Sequence, residues 1–321
     1  MAVKDGTSTI ARPRRSKGGP AAGETSLREG FLELCGPLVG DLLQRRSMLL
    51  QQPSPANVHA LRGALRRMRA ALGLFGDLLP AGDVKWIRRE LKWFTRELGL
   101  LRDLDVLVAR LDALESRFTP QTRPEDLMVG LAKQARRQAE TSSLVAASSA
   151  RASMLAFALG DWCARAAGAL ADDRSLNSCA DPSLFAQHAR ITRDGAHIGR
   201  LGSRARHRLR RRIKCLRYSA ESLARVKGVV IERAYLATLI RLSQLLGDMN
   251  DDHVGAQLVQ TLSSGTCADD LWPPDARRRA AQRKELKAVW AAFETGKPPG
   301  RPLIQRKAID ADMKSISIQP S

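Results

Sequence analysis

Two short stretches concentrate the chemistry of this chain. His59, Arg62, Arg66 and Arg69 recur at the same spacing, 148 residues further on, as His207, Arg210, Lys214 and Arg217. On a helix of 3.6 residues per turn, positions i, i+3, i+7 and i+10 fall within about 80° of one another. Each set is therefore one column of cations headed by a histidine, with Arg67 and Arg211 beside it. Leu61, Leu65, Met68, Leu72 and Phe75 form a neighbouring apolar stripe, the pattern of a helix packed into a bundle. Like charges at i,i+4 cost a few tenths of a kcal/mol each. No acidic residue offsets them between Asn57 and Gly76, or between Gly195 and Ala220. Self-repulsion on this scale fits an anionic partner. A merely solvated basic face is the bland alternative, but it has no reason to reproduce positions as well as charge.

Arginine suits an anion track because its planar fork donates paired, charge-assisted hydrogen bonds to phosphate oxygens, each worth about 1.5–3 kcal/mol before screening. The two histidines add donors when protonated, or else simply pack near a helix start. Under the same shift Lys85 falls on Arg233, a candidate extension of the track. Leu98-Gly99 falls on Leu246-Gly247, Asp103 on Asp251 and Val106 on Val254, with no gap. Two copies of one supersecondary unit account for that register. Asp103, Asp105 and Asp251 have three open roles: orienting arginines of the partner helix, forming plain ion pairs, or holding a divalent cation against phosphate. A metal-dependent phosphohydrolase would want clustered carboxylates or histidines, and only Asp103, Asp105, Asp251, Asp252 and His253 are on offer. We therefore expect no catalytic residue, no resident metal and no cofactor.

The elements that must hold these columns are helical. Strand-type alternation is missing, and the expected fold is all-α: two helical bundles, related by a pseudo-two-fold and arising from an internal duplication. The expected organisation is a disordered basic arm over 1–23, one bundle half over 24–148, the other over 149–294, and a disordered tail over 295–321. Helices are expected from Glu24 to Gln52 with a kink or break at Pro37, from the Ser54 or Asn57 cap to Leu79, and unbroken from Val84 to Phe118. Others are expected over Asp126–Leu170, divided near Ser148-Ser149, then 182–198, 202–225, 229–262 and 275–293, with a loop from Ala171 to Asp181. The balance of 53 basic against 33 acidic residues, net charge +20, points to a polyanionic partner. Five scattered cysteines without CxxC spacing fit a reducing cytoplasm. Neither a membrane span nor a secretory signal is expected.

The pattern His59-x-x-Arg62-x-x-x-Arg66-Arg67-x-Arg69 with Leu98-Gly99 and Arg102-Asp103-x-Asp105-Val106 resembles the CHAD family of histidine-bearing α-helical domains. His207-x-Leu209-Arg210-x-x-x-Lys214-x-Leu216-Arg217-Tyr218 with Leu246-Gly247-x-x-Asn250-Asp251 is similar to that family's second half. The resemblance spans about Glu24 to Phe293. It implies two helical bundles, a basic surface or channel, and binding of inorganic polyphosphate, often at polyphosphate granules. It assigns phosphate contact to the two histidine-headed columns. Many members follow a triphosphate-tunnel catalytic domain, and its Glu-x-Glu-x-Lys signature is absent from this sequence. A nucleic-acid binder is the alternative partner class, weakened by an aromatic content of only 4%.

Overall fold

The computed structural model describes residues 24–115, 124–170, 174–263, 276–296 and 298; the basic arm expected over 1–23 and most of the expected tail lie outside these. Helices α1 (Leu27–Gln51) and α2 (Pro55–Phe75) form an antiparallel pair. Ser26 caps α1 by accepting the Glu29 amide at 3.1 Å, and Ser54 caps α2 through the Asn57 amide at 3.2 Å, with Pro55 at the first helical position. Pro37 neither breaks nor ends α1. Both it and Glu33, whose carbonyl loses its helical donor, are exposed, so water can serve that carbonyl.

The helix expected over 84–118 is in fact two, α3 (Ala81–Glu97) and α4 (Gly99–Glu115), separated at Leu98 with φ −85° and ψ 0°. Helix α5 (Pro124–Ser148) meets α6 (Ala150–Ala169) at Ser149, which caps α6, as the sequence led one to expect. Helix α7 (Leu176–Gly195) starts within the expected loop, because Ser175 caps it and Pro182 is accommodated inside. Helices α8 (Ser203–Leu223), α9 (Arg233–Leu262) and α10 (Ala276–Thr295) complete the described chain. The turn before α9 contains Gly228 at φ 78°, a conformation that costs glycine little.

The described residues contain no strand, only an isolated bridge between Ser26 and Ser175. There the starts of α1 and α7 bond reciprocally: Leu27 N–H donates to Arg174 O at 2.7 Å and Leu176 N–H to Thr25 O at 2.9 Å. A shift of 148 residues lays α2 on α8 end to end, α3 and α4 together over α9, and α5 over α10. Helix α6 has no such counterpart in the described chain.

Helices α2 and α8 pack against each other at the centre, flanked by α1 and α7. Small residues allow the approach: Gly73 sits opposite Cys215, and the Ser219 hydroxyl reaches Ala70 O at 3.5 Å. Leu61, Leu65, Met68 and Leu72 of α2 and Leu209, Ile213 and Leu216 of α8 are buried in one continuous apolar core drawn from both halves. Each such side chain contributes about 1.5–3 kcal/mol of transfer free energy. That burial fixes the rotation of both helices and hence the direction of their cationic columns. Among the described residues no single helix is long and apolar enough to cross a membrane.

Candidate functional site

The seam where α2 meets α8 brings the two columns together. The Arg66 Nε donates to the Tyr218 hydroxyl at 3.2 Å across the seam. Its guanidinium carbon lies 5.9 Å from the centre of the Tyr218 ring, and that of Arg217 lies 4.4 Å from it. Tyr218 is buried, so its ring is a fixed platform for both cations. Arg62 donates to Thr95 O at 3.1 Å, anchoring it at the end of α3. Arg210 approaches Asp251 of α9 at 3.8 Å.

These groups feel one another electrostatically. Burial, then Arg210, Arg66 and Arg217, push the Lys214 ammonium down to about 7, against the opposing pull of Asp251. Burial, with Arg66, Arg102 and Arg210, likewise lowers Arg62 to about 10 although Asp103 opposes the shift. Arg210 is lowered by burial and by Arg66 and Arg102. His59 is lowered first by burial and then by Arg102, Arg66, Arg62 and Lys214, which favours its neutral form. Burial raises the Asp103 carboxyl, with Asp251 adding to the rise and Arg62 resisting it. The seam thus gathers Arg62, Arg66, Arg102, Arg210, Lys214 and Arg217 around two carboxylates, Asp103 and Asp251, while Glu221 serves only Arg217. Arg62 and Arg210 each bury an Nε–H without an acceptor among the described residues. An unmet buried donor costs about 1–3 kcal/mol.

Not every expected residue joins this cluster. Arg67 turns to α1, where it donates to Asp41 at 2.6 Å beside Arg45, because it projects about 100° round the helix from Arg66. Arg69 sits at one end of the seam, where burial and Arg211 lower it and Cys215 opposes. Asp105 ties α4 to α5 through Arg136 at 2.8 Å. Lys85 and Arg233 are exposed and have no hydrogen bond or ion pair with the cluster among the described residues. His207 donates its Nδ1–H to Asn250 Oδ1 at 3.0 Å, which leaves Nε2 to turn outward. Beside it an open cavity of about 500 Å³ is bounded by Arg204, Arg206, Arg210 and His253, with Ser203 Oγ 3.4 Å from His253 Nε2.

Sequence reasoning did not place Arg102 in the site, yet it acts on His59, Arg62, Asp103 and Arg210. The available signal was its place beside Asp103 in the repeated segment; what hid it was that Asn250 stands at the matching position. No group of three or more His, Cys, Asp or Glu side chains among the described residues could hold a metal ion.

The geometry can be set beside known proteins. The chain is similar in structure to the crystal structure of the CHAD domain from the plant Ricinus communis, with a TM-score of 0.69 and 23% identity over 90% of this chain and 98% of that one. It is also similar to PptA from Streptomyces chartreusis, with a TM-score of 0.59 and 20% identity over 84% of this chain and 98% of that one. No curated protein sequence matches it. The family model for the CHAD domain matches residues 35–260, a span from α1 to the last turn of α9 that takes in the whole seam. The chain therefore belongs to the CHAD domain family.

Proposed function

We propose that the chain binds inorganic polyphosphate along the α2–α8 seam without turning it over. The observation that carries this reading is the convergence of six cations from α2, α4 and α8 on two carboxylates, two of the arginines holding unmet buried donors. A linear polyanion offers a run of phosphate oxygens that cations on several elements can grip at once, so longer polymers should bind better than tripolyphosphate. His59, Arg62, Arg66 and Arg102 would hold one side, and Arg210, Lys214 and Arg217 the other. His207 would extend the track towards the cavity at the start of α8. The shared register of α2 and α8 is our ground for reading the two halves as copies of one unit. A cytoplasmic protein recruited to polyphosphate granules is the setting that fits this activity, and imaging a fluorescent fusion tests it.

The decisive experiment titrates long-chain polyphosphate, tripolyphosphate, duplex DNA and single-stranded RNA at two salt concentrations, with phosphate release followed in Mg²⁺ and Mn²⁺. Preference for long polyphosphate at physiological salt, without release, supports the proposal. Equal affinity for DNA would replace it with general phosphate-backbone binding, and turnover would make the protein a hydrolase. Arg66→Glu with Lys214→Glu should weaken polyphosphate binding at least a hundredfold. Lys92→Glu with Arg96→Glu, on the exposed side of α3, makes the same change in net charge and should cost less than threefold.

A further inference from the structure

We propose that the cavity between α2, α7 and α8 is a second binding site, which takes a small organic anion with an aliphatic body: a fatty carboxylate or an alkyl phosphate. The cavity measures about 720 Å³, within the range of pockets that hold small molecules. It is separate from the seam, because Arg212 and Cys215, which line it, leave α8 about 100° or more round from the Arg210, Lys214 and Arg217 column.

The walls divide by chemistry. Leu78, Pro182 and Ala186 present an apolar part over the buried Leu74 and Ile191, and Ser183 and Gln187, joined by a 3.4 Å hydrogen bond, supply a hydroxyl and an amide. Arg174, Arg190 and Arg212 bring three cations to it, and none of the described residues that line it is acidic. Arg212 is paired with Asp194, while Arg190 and Arg193 add to the burial that lowers it. The side chains of Arg174 and Arg190 have no hydrogen bond or ion pair among the described residues. The charge therefore asks for an anion. An inorganic phosphate or polyphosphate would gain nothing from this apolar part, whereas an alkyl body covers Leu78, Pro182 and Ala186. None of the described residues that line the cavity is aromatic, so a nucleobase would find no stacking surface among them. Space is kept open by Gly73, where an added Cβ would meet only Cys215 Sγ, at 3.8 Å. A larger side chain at that position enters the cavity, although glycine inside α2 costs about 1 kcal/mol relative to alanine.

The test is titration calorimetry of the full chain with decyl phosphate, decanoate, decanol and inorganic phosphate, all below micelle-forming concentrations. We expect one site for decyl phosphate or decanoate, with the better of the two identifying the head group, and decanol and inorganic phosphate each at least tenfold weaker. Gly73→Leu, which fills the cavity from α2, and Ala186→Trp, which fills it from α7, should each weaken binding at least tenfold. Arg190→Glu should do the same. Either filling variant suffices if the other fails to fold by circular dichroism. Binding that survives both, or decanol equal to the anions, or no site at all, overturns the proposal. The site is independent of the polyphosphate reading: Arg66→Glu with Lys214→Glu should leave decyl phosphate binding unchanged, and Ala186→Trp, on the exposed side of α7, should leave polyphosphate binding unchanged. Loss of both ligands in Ala186→Trp would mean that the cavity belongs to the seam, and would equally overturn the inference.

Discussion

On the proposed reading of the seam, Lys214 makes polyphosphate binding a proton-linked event. Its ammonium is buried beside Arg66, Arg210 and Arg217, with His59 and Asp251 also acting on this corner, and its value falls from the ordinary lysine range to about 7. At pH 7 it is therefore about half charged in the free protein. A bound polyanion favours the charged form and restores a high value, so binding takes up about half a proton at pH 7 and nearly one at pH 8. The sign follows: affinity falls as pH rises. With the bound value well above 8, the association constant drops about fivefold from pH 7 to pH 8 and about fifteenfold from pH 7 to pH 8.5. Burial and the neighbouring cations move His59 down, away from this window, and Arg62, at about 10, lies above it. Calorimetry in buffers of different ionisation enthalpy counts the protons directly. Lys214→Arg should keep the affinity seen at low pH and lose the slope, and Lys214→Met should be weak and flat. A wild type that binds with no proton uptake between pH 7 and 8, or a Lys214→Arg variant that keeps the slope, refutes the reasoning.

Three more outcomes follow from the same structure. Free of ligand, the protein should gain stability as pH rises from about 7 towards 10, because over that window the unfolded chain holds a proton on Lys214 that the folded chain does not; urea unfolding at pH 7 and pH 9 measures this. Asp105→Asn, which weakens the tie from α4 to Arg136 of α5, should cost about 1–3 kcal/mol in urea unfolding yet leave polyphosphate affinity within twofold at 10 °C, since its hydrogen bond goes to Arg136 and Arg102 acts on it only through charge. Gly195→Ala should cost about 1–3 kcal/mol, because the new Cβ collides with the Trp290 ring that packs α10 onto the end of α7, and the loss should be largely relieved by Trp290→Leu in a double-mutant cycle.

The identical dipeptides Leu98-Gly99 and Leu246-Gly247 mark where local reading stops. The first separates α3 from α4, and the second lies within an unbroken α9. The dipeptide alone does not set the outcome: α3 lies against α2, α5 and α6, whereas α4 adds α9 to its contacts with α2 and α5. Arg67 and Asp105 show the same limit. Sequence put each beside a repeated cation or carboxylate, but which neighbour each meets depends on where Asp41 and Arg136 arrive from other helices.

By itself, the sequence determined that the chain is all-α and that its cations stand in two columns. Helical periodicity and the absence of acid near those columns are properties of the chain alone, legible without any partner element. Only the tertiary structure decided that the columns meet at one seam, that Arg102 enters from α4, and that Lys214 sits deep enough for its charge to change near neutrality. Those outcomes depend on how α2, α4, α8 and α9 are rotated and packed, and desolvation and the approach of distant charges exist only once that packing is complete.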